Sequence, residues 1–181
     1  MDAALPIVSN TNENRNNSAD TSATDSTFLN DVWTMYFHNP DDENWTFQSY
    51  HRVGDVSTVE DFVAMYKGLQ ALWNKGMFFL MREHIQPLWE DKHNRDGGCL
   101  SFKLYPNEVE NIWFSCCATI LGERLCKDSS IWSKVCGISI APKRGYCLAR
   151  IWLGDTTVDS QSLDLPISHC TKTIFKSHKH V

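Results

Sequence analysis

The chain has 181 residues, enough for one domain with a substantial core, and its 17 Lys and Arg against 22 Asp and Glu give a net charge of −5. That balance argues against indiscriminate binding along a phosphate backbone, while leaving room for a small anionic ligand in a local basic pocket. No apolar run approaches the roughly 18 to 20 residues that span a bilayer, and the first residues hold neither a basic nor an unbroken apolar stretch, so a soluble, cytoplasmic chain with no membrane contact is expected.

Residues 1–27 contain no aromatic side chain and are crowded with Asn, Ser, Thr and Asp, so they are expected to form a disordered tail before a single domain over 28–181. The run Val32-Trp33-Thr34-Met35-Tyr36-Phe37 predicts a buried strand, stopped by Asn39-Pro40-Asp41-Asp42-Glu43-Asn44, which leaves Trp45 at the far end of a turn. A second strand is expected over 46–53. Ser57-Thr58-Val59-Glu60 reads as a capping box, and Val59, Phe62, Val63, Tyr66 and Leu69 then recur at helical spacing on one buried face. Strands are expected near 77–81 and where Leu100, Phe102 and Leu104 alternate with polar neighbours. A second helix is capped by Asn107 with Glu110 three residues on, and carries Val109, Ile112, Trp113, Cys116 and Ile120 on its dry stripe before Gly122. Segments 135–141 and 146–152 flank Pro142-Lys143-Arg144-Gly145 as a β-hairpin. Strands outnumbering separate helices predict an α+β fold, an antiparallel sheet with helices on one face.

Seven cysteines without a CxxC spacing read as small buried hydrophobes in a reducing compartment, and the seven histidines have no metal-ligand spacing. No phosphate-binding glycine loop, nucleophile elbow or paired nucleophile and base is present, so neither catalysis, nor a metal, nor a cofactor is expected. The informative excess is aromatic, with seven Trp in one small domain. Trp45 and Trp89 fall in polar loops, where an indole is either a lid on the core or an exposed platform. Two such indoles at one end of a sheet can sandwich a flat ring, each stacked face being worth roughly 1 to 3 kcal/mol, and a cationic ring adds cation–π attraction. Glu90 beside Trp89 could accept the paired N1–H and N2–H₂ donors of a guanine. Lys143 and Arg144 mark the hairpin tip as ordinary solubilising charges or as phosphate contacts. Arg150 shares strand parity with Trp152, so the face they occupy is not simply core.

Asn44-Trp45, Thr58-Val59-Glu60-Asp61-Phe62, Ile85-Gln86-Pro87-Leu88-Trp89-Glu90-Asp91, Gly97-Gly98, Ile112-Trp113, Ile120-Leu121-Gly122-Glu123, Val135-Cys136-Gly137 and Ile151-Trp152 stand in the order and nearly the spacing of a known family. Over residues 30–152 the chain resembles eukaryotic translation initiation factor 4E, which binds the 5′ cap of mRNA. The resemblance implies a cupped antiparallel sheet with two or three helices on its convex face and the 7-methylguanosine cap in the concave slot. By position it implies that Trp45 and Trp89 sandwich the methylated base, that Glu90 binds its N1 and N2 edge, and that Trp152 touches the N7-methyl group. Three basic positions hold the cap phosphates in the family; here Lys143 takes the first, Gly145 and Leu148 occupy the others, and Arg144 and Arg150 are substitutes. It further implies capped mRNA as ligand, and a scaffold protein of the initiation factor 4G type, or a translational repressor, against Val59, Val63, Trp113 and Phe114. The chain is otherwise expected to be a monomer. A partner-contacting Trp of the family's first helix is Val63 here, and only 29 residues follow Trp152, a divergence similar to that of kinetoplastid paralogues. An aromatic-platform carbohydrate-binding module is the alternative that the same tryptophans allow.

Overall fold

A computed structural model describes residues 26–168 and 171–180. Seven strands form one antiparallel sheet in the order β2-β1-β3-β5-β6-β4-β7. They are β1 (Phe28–His38), β2 (His51–Thr58), β3 (Met77–Arg82), β4 (Gly98–Leu104), β5 (Val135–Lys143), β6 (Tyr146–Leu153) and β7 (Thr173–Ser177). Helices α1 (Val59–Leu69) and α2 (Val109–Leu121) complete the α+β architecture expected from the sequence.

Strand alternation divides the apolar side chains between two cores. Phe78 and Leu80 on β3, Ile138 and Ile140 on β5, and Ala149 and Ile151 on β6 join Phe62, Tyr66, Trp113 and Ile120 beneath the two helices. Trp73 joins the helices to the sheet there, 4.9 Å from Tyr66, 6.0 Å from Trp113 and 4.7 Å from Phe78 between ring centroids. Strand residues of the opposite parity, Phe79, Met81, Cys99 and Trp152, form a smaller apolar cluster on the opposite face with Tyr36, Tyr50 and Ile85. The sheet is therefore buried on both sides where it carries that second cluster.

Arg82, 8 % exposed, is the one cation among the buried polar side chains described. Its Nε donates to the Val135 carbonyl at 2.8 Å, its guanidinium pairs with Asp31, and it lies 5.1 Å and 4.8 Å from the ring centroids of Trp33 and Trp132. A buried guanidinium whose planar faces meet two indoles and whose edge is hydrogen-bonded is tolerable where a bare cation is not.

Several element boundaries differ from the sequence expectation for identifiable reasons. The expected strand over 46–53 begins only at His51, because the Ser49 amide and hydroxyl both donate to the Thr46 carbonyl, at 3.0 and 2.8 Å, and close a short 3-10 turn over Phe47–Ser49. The capping box sits one residue later than Ser57 and Glu60. Pairing with β1 carries β2 through Thr58, whose hydroxyl accepts from the Asp61 amide at 3.0 Å while the Asp61 carboxylate accepts from the Thr58 amide at 2.9 Å. These bonds, the Thr58 side chain first, hold the Asp61 carboxyl below its usual range. Glu60 instead accepts from the Thr27 amide at 3.0 Å, and Thr27 in turn accepts from Val59, so the last residue of the expected tail is tied down; residues 1–25 lie outside the described residues. Val59, expected on the buried face of α1, is 40 % exposed at its first position, whereas Phe62 and Tyr66 are buried as read. Asn107 does not cap α2. Glu108 is the cap residue, bonding with its carboxylate to the Tyr105 amide at 3.1 Å, and Glu110 reaches across to Gln70 of the first helical unit. The six described cysteines are free thiols, five of them buried, and Cys170 lies outside the described residues. Among the described residues no helix is long and apolar enough to cross a membrane.

Candidate functional site

On the sheet face away from the helices, a cavity of about 420 Å³ is lined by Trp45, Tyr50, Met77, Phe79, Pro87, Leu88, Trp89, Glu90, Lys143, Arg150 and Trp152. Six residues singled out from the sequence thus converge on one space although up to 107 positions separate them: Trp45, Trp89, Glu90, Lys143, Arg150 and Trp152. Arg144 does not line it; the residue is exposed at the tip of the β5–β6 hairpin, where Gly145 takes φ +83°.

Trp45 reaches the cavity from the turn after β1. Asn44 anchors that turn: its Oδ1 accepts from the Thr46 amide at 3.1 Å, and its carbonyl bonds to His38 Nε2 at 3.0 Å. The His38 imidazole, wholly buried at the end of β1, stacks beneath the Trp45 indole with centroids 4.4 Å apart and planes within 2°. One indole face is thereby covered, and Trp45 as a whole remains 52 % exposed.

Trp89 and Glu90 are carried by the loop between β3 and β4, which polar side chains brace from within. Asn94 is fully buried; its Nδ2 donates to the Gln86 and Leu88 carbonyls at 2.9 and 2.8 Å, pinning both sides of Pro87. Asp91 accepts from the Gln86 amide at 3.2 Å and from the His93 amide at 2.8 Å. Each bond is worth about 1 kcal/mol net, and a loop so braced presents its indole with little ordering entropy left to lose. The loop ends at Gly97, where a Cβ would fall 1.8 Å from the Leu153 carbonyl oxygen, so only glycine lets it pass this close to β6.

His178, just past β7, lies beside both Trp89 and Trp152, 5.4 Å from the latter between ring centroids. Its ring lies 5.7 Å from the Trp89 centroid at 14°, its Nδ1 is 2.7 Å from the Asn94 carbonyl, and its Nε2 is 3.1 Å from Cys99 Sγ. Burial pushes the Cys99 thiol up to about 12, so it carries its proton and donates to Nε2, which leaves Nδ1–H to donate to Asn94. Burial likewise holds His178 below its ordinary value, with the Asn94 bond and Glu90 acting in the opposite direction.

The cavity floor is Trp152, 2 % exposed, with its Nε1–H donating to Ser139 Oγ at 2.9 Å. Tyr50 closes one side, its hydroxyl raised to about 12 by burial and then by the Glu90 charge. Arg150 projects from β6 two residues before Trp152, on the same face, and is flanked in the sheet by Ser101 and Ser139. The sequence reading missed Tyr50, Met77, Phe79, His38 and His178 in this setting. Met77 and Phe79 were accessible from strand parity alone, since they alternate with the core residues Phe78 and Leu80. Nothing in the residue pattern marks His38 or His178 as neighbours of these indoles.

The site thus presents two indoles, each with an imidazole ring beside it, a carboxylate and two cations around one space, an arrangement suited to a flat ring bearing anionic groups. Its sequence matches the profile of the Eukaryotic initiation factor 4E family over residues 28–180, and the chain belongs to that family. It is 29 % identical over 132 residues to eukaryotic translation initiation factor 4E of Eremothecium gossypii, a match covering 68 % of this chain and 61 % of that protein. It is 30 % identical over 116 residues to the human type 1B factor, covering 60 % of this chain and 47 % of the relative. The matched part thus spans about half to three fifths of these relatives. Among solved structures, the complex of Caenorhabditis elegans eIF4E-3 with the 4E-binding protein Mextli and a cap analog superposes with a TM-score of 0.72 at 22 % identity, over 85 % of this chain and 94 % of that one. Schistosome eIF4E complexed with m7GpppG and 4E-BP gives 0.65 at 19 %, over 73 % and 74 %. At these identities the likeness is one of fold, a curved antiparallel sheet backed by helices.

On the helix side, a groove of about 430 Å³ runs between α1 and α2, lined by Val63, Tyr66, Lys67, Gln70, Glu110, Asn111, Phe114 and Ser115. Of the residues expected on a partner surface, Val63 and the 38 % exposed Phe114 line it, and Val59 is exposed at the start of α1. Trp113 does not belong there. It is fully buried against Trp73, because its position on α2 points at the sheet.

Proposed function

We propose that this protein binds the 7-methylguanosine 5′ cap of mRNA without chemical turnover and acts in the cytoplasm in translation initiation or its control. The observation that carries this reading is the convergence of Trp45, Trp89, Glu90, Trp152, Lys143 and Arg150 on one cavity of about 420 Å³. Trp45 and Trp89 stack on the two faces of the methylated base, whose positive charge strengthens its attraction to indole π-faces. Glu90 accepts from N1–H and N2–H₂ of the guanine edge, a charge-assisted pair of bonds. Trp152, held by Ser139, closes the slot beside the N7-methyl group. Lys143 and Arg150 take the phosphates, with Arg150 serving where Arg144, which faces solvent, does not reach. Membership of the initiation factor 4E family and the fold shared with proteins solved with cap analogs support the reading. On the opposite face, the groove lined by Val63, Tyr66 and Phe114 takes an apolar helix of a scaffold or repressor protein, in line with neighbours solved with 4E-BP and Mextli.

A calorimetric titration with 7-methyl-GTP and with GTP tests the ligand assignment. Tighter binding of the methylated nucleotide is expected, and equal affinities would remove the cap reading.

A further inference from the structure

The face that carries the slot does not end at the slot. Register pairing across β6, β4 and β7 puts Trp152, Cys99 and Lys176 in one row, then Arg150, Ser101 and Ile174 in the next, then Leu148 and Lys103. Paired residues share a face, so Lys176, Ile174 and Lys103 stand on the same side of the sheet as Arg150 and Trp152. Lys176 Nζ lies 5.9 Å from the Trp89 ring centroid, which agrees with that placement. Lys103 is one strand over and two residues along from Arg150, about 8 Å between Cα atoms from ideal sheet spacings.

Three properties of this surface point to one kind of occupant. In a chain of net charge −5, Lys103, Arg150 and Lys176 form no ion pair among the described residues, although Lys179 beyond them pairs with Asp96 at 3.2 Å. Lys103 is held by its own sheet, with Nζ 4.5 Å from the Tyr146 ring centroid, so its charge stands at a defined place. Between the cations Ile174 is 57 % exposed, an apolar side chain on an otherwise basic strip. Cations tracking away from a ring-binding slot, with an apolar contact among them, suit a single nucleic-acid strand.

We propose that this strip on β4, β6 and β7 binds the first nucleotides that follow the cap, through their phosphates at Lys103 and through base or ribose contact at Ile174, without regard to base identity. The proposal rests on the cap reading of the slot and extends it to the body of the RNA. A strip built of flexible ammonium groups and one aliphatic side chain has no fixed donor and acceptor pattern with which to read a sequence.

The test compares 7-methyl-GTP with a short capped oligoribonucleotide on the wild-type chain and on Lys103→Glu and Ile174→Ala, at two salt concentrations. Both side chains project from the sheet into solvent, outside the slot, so 7-methyl-GTP affinity is expected to stay within twofold in both variants. The wild type is expected to bind the capped oligonucleotide several-fold tighter than 7-methyl-GTP. Lys103→Glu should abolish that gain and lower the slope of log affinity against log salt by about 0.7 for each phosphate no longer neutralised. Oligonucleotides of different sequence should behave alike. An oligonucleotide that binds no better than 7-methyl-GTP, or variants that leave its advantage intact, would overturn the proposal while the slot reading stands; a strip that instead captures a peptide would give this outcome. Failure of 7-methyl-GTP itself to bind in preference to GTP would overturn the slot reading and this one with it.

Discussion

Removing the Trp45 indole isolates one layer of the proposed stack. The ring rests on His38 at 4.4 Å with planes within 2°, and its other face is the one free to meet a ligand. Loss of one stacked face costs about 1 to 3 kcal/mol, or roughly 5- to 150-fold in Kd at 1.4 kcal/mol per tenfold. Because Trp45 is 52 % exposed, the cation–π share of that loss belongs to the weaker, solvated range of about 0.5 to 1 kcal/mol. Stacking of the uncharged guanine ring of GTP lacks this share, so Trp45→Ala should narrow the preference for 7-methyl-GTP over GTP by about two- to fivefold as well as weakening both. Folding should suffer little, since the indole's chief partner within the protein is the His38 ring, and such a ring pair is worth about 0.5 to 1.5 kcal/mol. Isothermal titration calorimetry gives both affinities without depending on the fluorescence of the residue removed, and urea denaturation reports stability. A variant that binds 7-methyl-GTP within twofold of the wild type, with stability unchanged, would refute the assignment of Trp45 to the base.

Val63→Trp enlarges the apolar wall of the groove between α1 and α2 and should tighten an apolar helical peptide from a scaffold or repressor protein by about tenfold or more, as expected of an added indole hot spot; nanomolar binding to the unmodified chain would refute the view that Val63 weakens this surface. Arg82→Met should cost about 3 kcal/mol of stability in urea denaturation, the low end for breaking a buried pair, because Asp31 is partly exposed; a change below about 1 kcal/mol would mean that the indole cage contributes nothing. For His178, the unfolded chain takes up a proton near the ordinary value of 6.5 while the folded chain does so only at lower pH. The unfolded state therefore binds more protons in that window, so stability should fall as pH drops through 6.5 and level off below the folded value. Protonation also removes the Nε2 acceptor of Cys99, so 7-methyl-GTP affinity should weaken over the same window. His178→Phe keeps a ring beside Trp89 and should flatten both profiles between pH 7.5 and 5.5; profiles parallel to the wild type would exclude His178 as their source.

Much of this protein is written locally in its sequence. Period-two runs such as 100–104 and 146–152, the helical stripe of Phe62 and Tyr66, and the Pro-Lys-Arg-Gly hairpin turn specify elements through interactions within a few residues, and those elements were found close to where they were expected. Trp45, Trp89, Glu90 and Trp152 were also legible, because loop indoles beside a carboxylate and a charged residue on an apolar strand break the pattern of a plain core. The exact cap residues were not, since the length of β2 depends on its pairing with β1, a contact between residues 30 positions apart, and this moved the N-cap of α1 from Ser57 to Thr58. Tertiary structure alone decided that Arg150, rather than Arg144, lines the slot, because the hairpin tip extends into solvent and the strand body does not. It alone set the His38 and His178 rings beside the two indoles, and placed Asn94 inside the loop that carries Trp89. His178 and Trp89 are 89 positions apart, and their contact exists only once the sheet has brought β4 and β7 together; the His38–Trp45 stack and the Asn94 brace span fewer than ten residues but depend on loop conformations that no local periodicity encodes.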